Sequence, residues 1–206
     1  MRKIYHQRII EQAVGRQVSK HALDIIIAAN LGQDALRYQF GHEHFHYDSN
    51  AFASGDAYVN SQRAMILPTL QKAQPQTAWQ AFGRLSHTVQ DLYAHSNYVD
   101  IWLAKCNEPN PDPEQIDPMN ADILSDPGLH SGKPFFLFDA LQLFNLLTPG
   151  ILELAPVNPH TRMNIDGPDR ANFPYAYAAA VKRTQVEFSR VVDSLPNGHK
   201  IIFIDL

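Results

Sequence analysis

Hydrophobic positions recur along most of this chain at spacings of three and four, the period of an amphipathic α-helix. The stretch SKHALDIIIAANLG opens with Ser19 as a predicted N-cap and closes at Gly32, where a left-handed turn is expected to end the helix. A short second helix is predicted over QDALRYQF. The spacing of Phe52, Tyr58, Val59, Met65, Ile66 and Leu70 predicts a long third helix that Pro68 kinks or ends. TAWQAFGRLSHTVQDLYAHSNYVDIWLAK carries the strongest helical pattern, and FFLFDALQLFNLL and NFPYAYAAAVKRTQVEFSRVVDSL predict two more helices. Between them, residues 107–134 hold Pro109, Pro111, Pro113, Pro118, Pro127 and Pro134, which predicts a long irregular excursion. Loops of that length in small domains are mobile or functional. The tail KIIFIDL reads as a short strand or an apolar arm. No repeat or linker divides the pattern, so residues 1–206 are expected to form one all-α helical domain.

Composition narrows the partners. A formal charge of -4 with no Lys- or Arg-rich block gives no footprint for a nucleic-acid backbone, so nucleic acid is disfavoured. The single cysteine, Cys106, has no internal disulfide partner and no CxxC neighbour, and reads as a plain thiol. The start MRKIYHQRIIEQ lacks the apolar run of a signal peptide, so the expected location is cytoplasmic, or export without a classical signal. No apolar stretch approaches the ~20 residues of a membrane-spanning helix.

The ten histidines are the unusual feature. His87, Asp91 and His95 lie four residues apart and share one helix face, while Phe82, Leu85, Val89 and Leu92 form a separate core stripe. Tyr98 and Trp102 continue the histidine face, which suggests that other protein covers it. A covered carboxylate and two imidazoles need compensation, and a divalent metal supplies it. Spacing alone also fits a solvated face or a hydrogen-bonded pair. In GHEHFHYDSN, residues His42, His44, His46 and Asp48 alternate, which in an extended segment would aim all four to one side. Of these, His46, between Phe45 and Tyr47, is the one expected near the interior, whereas His42 and His44 read as solvated.

The motif HxxxDxxxHSN in HTVQDLYAHSNYV, preceded by AANLGQD and FHYDSNAF, resembles the bacterial Het-C-like proteins, related to the zinc phospholipase C and single-strand nuclease superfamily. The resemblance runs from about Ser19 through the MNIDGP segment and implies a helical bundle of the zinc phospholipase C type holding one to three zinc ions. It implies Asp34, His46, His87 and Asp91 as ligands of one ion, with Asp91 bridging to a neighbour, His21 on that bridged ion, and His95 on another. His160, in HTRMN, matches a late family histidine, but Asn164 stands where a carboxylate is expected, so Asp166 or Asp169 must substitute. His130 competes with His160 for that role. The family's amino-terminal tryptophan ligand has no counterpart here.

Such a centre implies hydrolysis of a phosphodiester by a metal-activated hydroxide, with Asp34 orienting the nucleophile or holding metal and Asp91 bridging. Gln90, Asn50, Ser96 and Asn97 are eligible to orient the imidazoles. Arg63, Arg84 and Arg162 are eligible to grip a phosphate, although a solvated arginine is the simpler reading for each. The expected substrate is a phospholipid or other phosphodiester, with peripheral membrane contact. Two alternatives stay open: a non-catalytic Het-C-like toxicity or recognition protein with a structural metal site, and a metal-free helical interaction module.

Overall fold

A computed structural model describes residues 1–38, 41–132 and 164–205. The predicted helix FFLFDALQLFNLL, together with His160 and Arg162, lies outside the described residues. Eight α-helices account for most of the described chain: α1 (Lys3–Val14), α2 (Lys20–Leu31), α3 (Phe52–Gln71), α4 (Pro75–His95), α5 (Tyr98–Lys105), α6 (Ala121–Leu124), α7 (Phe173–Ser194) and α8 (Asn197–Ile204). No strand forms among the described residues, only an isolated bridge between Ser96 and Ser131. The all-α expectation therefore holds.

Helix α4 is the axis of the bundle, with α2, α3 and α7 packed round it and α1 laid across α2 and α7. Its surroundings explain why almost every residue from Ala78 to Ala94 is buried, the polar ones included. Close packing depends on Gly83: a Cβ there would sit 2.3 Å from the Ile26 carbonyl oxygen and 2.9 Å from the Ala29 Cβ. At one end, Phe82, Phe188 and Phe203 meet at centroid distances of 5.5 to 6.1 Å, and the Trp79 indole donates to the Phe203 carbonyl at 2.8 Å. That seat makes the tail KIIFIDL the end of helix α8, correcting the strand-or-arm reading; the carbonyl of Ile204 also accepts from the Ser19 amide.

Local signals succeed where they are strong. Ser19 caps α2 by accepting from the Ala22 amide, and α3 runs through Pro68 to Gln71. Gly32 does not take the expected left-handed conformation; at φ -65° it leads into 3-10 turns over Gly32–Asp34 and Leu36–Tyr38, where a short helix was predicted. The strongest helical stretch is not one helix. It breaks at Ser96, whose backbone is extended, because residues 128–132 take over the hydrogen bonds there: the His95 carbonyl accepts from Gly132, and Asn97 exchanges backbone and side-chain bonds with Gly128 and His130.

The Pro-rich excursion is irregular as predicted, but it is fastened down over its described part. Tyr93 and Tyr98 donate to the carbonyls of Pro118 and Asp117, each at 2.6 Å, and Ile116 and Ile123 are buried. Its end also holds the histidine loop, since Ser131 exchanges hydrogen bonds with Asn50 and donates to the Tyr47 carbonyl.

That loop is not extended. Two 3-10 turns, Glu43–Phe45 and Asp48–Asn50, fold it up, and Tyr47, Ser49 and Asn50 all have left-handed φ of 55° to 60°. Such a conformation costs an L-residue about 1–2 kcal/mol. Ser49 is exposed, and its amide bond to the Gly132 carbonyl does not involve the side chain. Ser49→Gly is therefore expected to stabilise the protein by about 0.5–1 kcal/mol after glycine's own entropic penalty. Thermal unfolding should show a rise of about 1–3 °C; an unchanged or lower midpoint would mean that the loop stores no such strain.

Candidate metal centre

The centre is built around one carboxylate. Asp91 is fully buried near the C-terminal end of α4, with His87 one turn before it and His95, the last residue of the helix, one turn after. The turn following α2 brings Asp34, the folded loop brings His46 and Asp48, and α1 brings His6. The segment before α7 brings Asp166.

Each oxygen of Asp91 faces its own group of nitrogens. Oδ2 lies 2.9 Å from His46 Nδ1 and 3.0 Å from His87 Nε2, and those two nitrogens are 3.1 Å apart. Ligands ~2.0–2.1 Å from a tetrahedral zinc are separated by ~3.3 Å, within a few tenths of this triangle. Asp34 Oδ1 stands 3.7 Å from His87 Nε2, with its side chain 18% exposed, and forms a second grouping with His87 and His6. On the other oxygen, Oδ1 lies 3.2 Å from His6 Nε2 and 2.7 Å from the amino nitrogen of Met1.

The hydrogen bonds behind His6 determine which of its nitrogens carries the lone pair. Thr184 Oγ1 donates to the Ala180 carbonyl, so it accepts from Gln90 Nε2. This turns the Gln90 oxygen toward His6 Nδ1, 2.6 Å away, where the ring must donate. In neutral His6, Nε2 is then a bare acceptor facing a carboxylate oxygen, and it has no hydrogen-bond partner among the described residues. Two acceptors at 3.2 Å repel each other unless a proton or a cation lies between them.

His95 joins the outer part of the cluster. Its Nε2 lies 3.1 Å from the Met1 nitrogen and 3.4 Å from Asp166 Oδ1, and its Nδ1 lies 3.2 Å from Asp48 Oδ1. Burial and the Met1 ammonium press its pKa down, but Asp91, Asp48 and Asp166 together hold it well above the usual histidine value. His87 goes the other way: burial outweighs Asp91 and lowers it to about 4, so it is neutral at physiological pH. Burial alone would raise Asp91, yet the Met1 amino group, His95, His87 and His6 hold it well below the carboxylate range.

Of the residues singled out in the sequence, Asp34, His46, Asp48, His87, Asp91, His95 and Asp166 are thus brought together, and Gln90 orients His6 from behind. His21 is not among them: it is exposed on α2, its ring against the edge of Trp79 at 5.5 Å, because it starts the helix while the cluster lies beyond its other end. His130 is exposed and bonded to the Gly128 carbonyl, Asp169 pairs with Arg2, and Arg84 donates to Gln62. His42 and His44 pack on Phe45 and Tyr58. His6 escaped the sequence reading, although its signal was present: His6, Ile9, Ile10, Ala13 and Val14 share the helical spacing of a buried stripe, which begins on a histidine.

The chain matches the family described as VWA7 N-terminal domain over residues 2–117, more than half of its length and a span that contains His6, Asp34, His46, His87, Asp91 and His95. No curated protein and no solved structure matches it. This match overturns the resemblance to Het-C-like proteins and the zinc phospholipase C superfamily, which is a different family. The misleading feature was the HxxxDxxxH spacing, which any helix presenting two imidazoles and a carboxylate on one face will share. The chain belongs to the VWA7 N-terminal domain family.

Proposed function

We propose that this domain binds divalent metal, zinc by ligand chemistry, and uses it to hydrolyse a phosphodiester. The observation that carries the reading is Asp91, whose two oxygens face separate sets of imidazole nitrogens, one of them a buried acceptor with no donor. Imidazole nitrogen and carboxylate oxygen are zinc's ordinary ligands. His46, His87 and Asp91 would hold one ion, and His6, Asp34 and His87 form the grouping that would hold a neighbour. A bound ion would supply Lewis acidity, bringing a water's pKa toward neutrality and drawing charge off a phosphoryl oxygen. Asp34, the partly exposed member of the His6–Asp34–His87 group, would orient a water beside it. The acidic chain favours a phospholipid over a nucleic acid as the ester.

The burial of His6, His87 and Asp91 favours a second reading, a structural metal that ties α1, α4 and the histidine loop together. One experiment separates the two. Metal content is measured by elemental mass spectrometry on protein purified without chelator, and turnover on bis(p-nitrophenyl) phosphate and on phosphatidylcholine micelles. The hydrolase reading expects bound zinc, chelator-sensitive turnover, and a loss of about 10²-fold or more in Asp34→Asn. Bound zinc with no turnover on either ester selects the structural reading; absence of metal, even after zinc incubation, removes both. His6→Ala is expected to lower the metal content, whereas His21→Ala leaves it unchanged.

A further inference from the structure

A cleft of about 410 Å³, lined by none of the residues of the metal cluster, opens between α3, α7 and residues 119–129. Its floor is an uneven ion cluster. The buried carboxylate of Glu187 accepts from three guanidiniums, Arg63 at 2.5 Å, Arg183 at 2.9 Å and Arg190 at 3.0 Å, and all three arginines line the cleft. Burial would raise Glu187, but Arg183 and Arg63 hold it below the usual range, so it stays charged and neutralises one of the three.

The other charges on the wall do not complete the balance. Asp126 is matched by Lys105 at 3.4 Å, and Asp56 accepts from the Tyr47 hydroxyl at 2.6 Å. Three guanidiniums against Glu187 and Asp56 leave one positive charge. Donors remain as well: among the described residues Arg190 uses only Nη1, and its side chain is 45% exposed. Opposite this floor, Phe52, Met119, Leu124 and Leu129 give half-buried apolar walls.

We propose that this cleft is a binding site for a small amphipathic anion, whose acidic head meets Arg63 and Arg190 while its short apolar tail lies along Phe52, Leu124 and Leu129. Guanidinium groups recognise carboxylate and phosphate by the same paired N–H geometry. The cleft's size is within the range of small-molecule sites, and an exposed guanidinium of Arg190 beside an apolar wall favours an anionic head with an apolar tail. The inference is independent of the metal reading.

The test is calorimetric titration of the full chain with octanoate and, separately, octyl phosphate, both with chelator present so that the metal cluster takes no part. Octyltrimethylammonium serves as the control of opposite charge. Saturable one-to-one binding of at least one anion is expected, weakened about tenfold or more by Arg190→Gln and lost in Leu124→Trp, which fills the tail region. The tighter of the two anions identifies the head group. Arg190 is half exposed, so its variant is expected to keep the wild-type circular dichroism spectrum. The proposal is overturned if neither anion binds saturably, if the cation binds equally well, or if a folded Arg190→Gln variant binds both anions like the wild type.

Discussion

Asp91→Asn will bind less than about a tenth of the wild-type zinc and, even without metal, will unfold at markedly lower denaturant. The substitution keeps size and shape, so it tests charge and lone pairs alone. An amide offers one acceptor oxygen where the carboxylate offers two, and its NH₂ turns a donor toward one of the two nitrogen groups, so an ion held on that side would lose a ligand. The metal-free effect has a separate origin. Asp91 lies against the Met1 ammonium at 2.7 Å and against His6, His46 and His87 within 3.2 Å, all buried. Removing one partner of a buried ionic group costs about 3–5 kcal/mol.

The pH dependence follows in sign. The folded-state pKa of Asp91 is held well below its ordinary value of about 3.8, so its stabilisation is fully present above that value and is lost as pH falls below it. Wild type should therefore show an acid limb between pH 4 and lower values that is flatter in the variant. Elemental analysis and urea unfolding across pH check both parts. A variant with wild-type zinc and an unchanged midpoint would mean that Asp91 is not the hub of this centre.

Gly83→Ala is expected to destabilise the domain by about 1–3 kcal/mol, the cost of overpacking a filled core. An alanine in a helix ordinarily helps, by about 1 kcal/mol over glycine. Here the added methyl meets backbone, 2.3 Å from the Ile26 oxygen and 3.1 Å from the Asn30 nitrogen, and backbone cannot swing aside as a side chain would. Helices α2 and α4 must separate. Asn30 also donates to the Gln90 oxygen, the group that orients His6, so the displacement should weaken metal binding along with the fold. Denaturant unfolding and a zinc titration measure the two losses; a variant as stable as wild type would show that the helices are free to move apart.

Helix by helix, the chain itself was sufficient where the information is local. A cap at Ser19, the apolar spacing of α3 and α7, and the face shared by His87, Asp91 and His95 all follow from a period of 3.6 residues and from short-range hydrogen bonding. The prolines of residues 107–134 likewise keep any regular structure there short, such as the single turn of α6.

Everything that required distant segments to meet was decided by tertiary structure. The break at Ser96 depends on residues 128–132, whose carbonyls and amides replace the helical bonds. The tail becomes helix α8 because Trp79 and the Phe82–Phe188 pair receive Phe203. Membership of the centre is the clearest case. His21 and His6 are both histidines near helix starts, and although His6 begins a buried stripe, that pattern does not say what the stripe faces. Only the packing of α1 across the bundle points His6 at Asp91, while the same bundle leaves His21 at the surface beside Trp79. The cluster is a convergence of five chain segments round one carboxylate, and periodicity along a single helix reports only the segment that carries it.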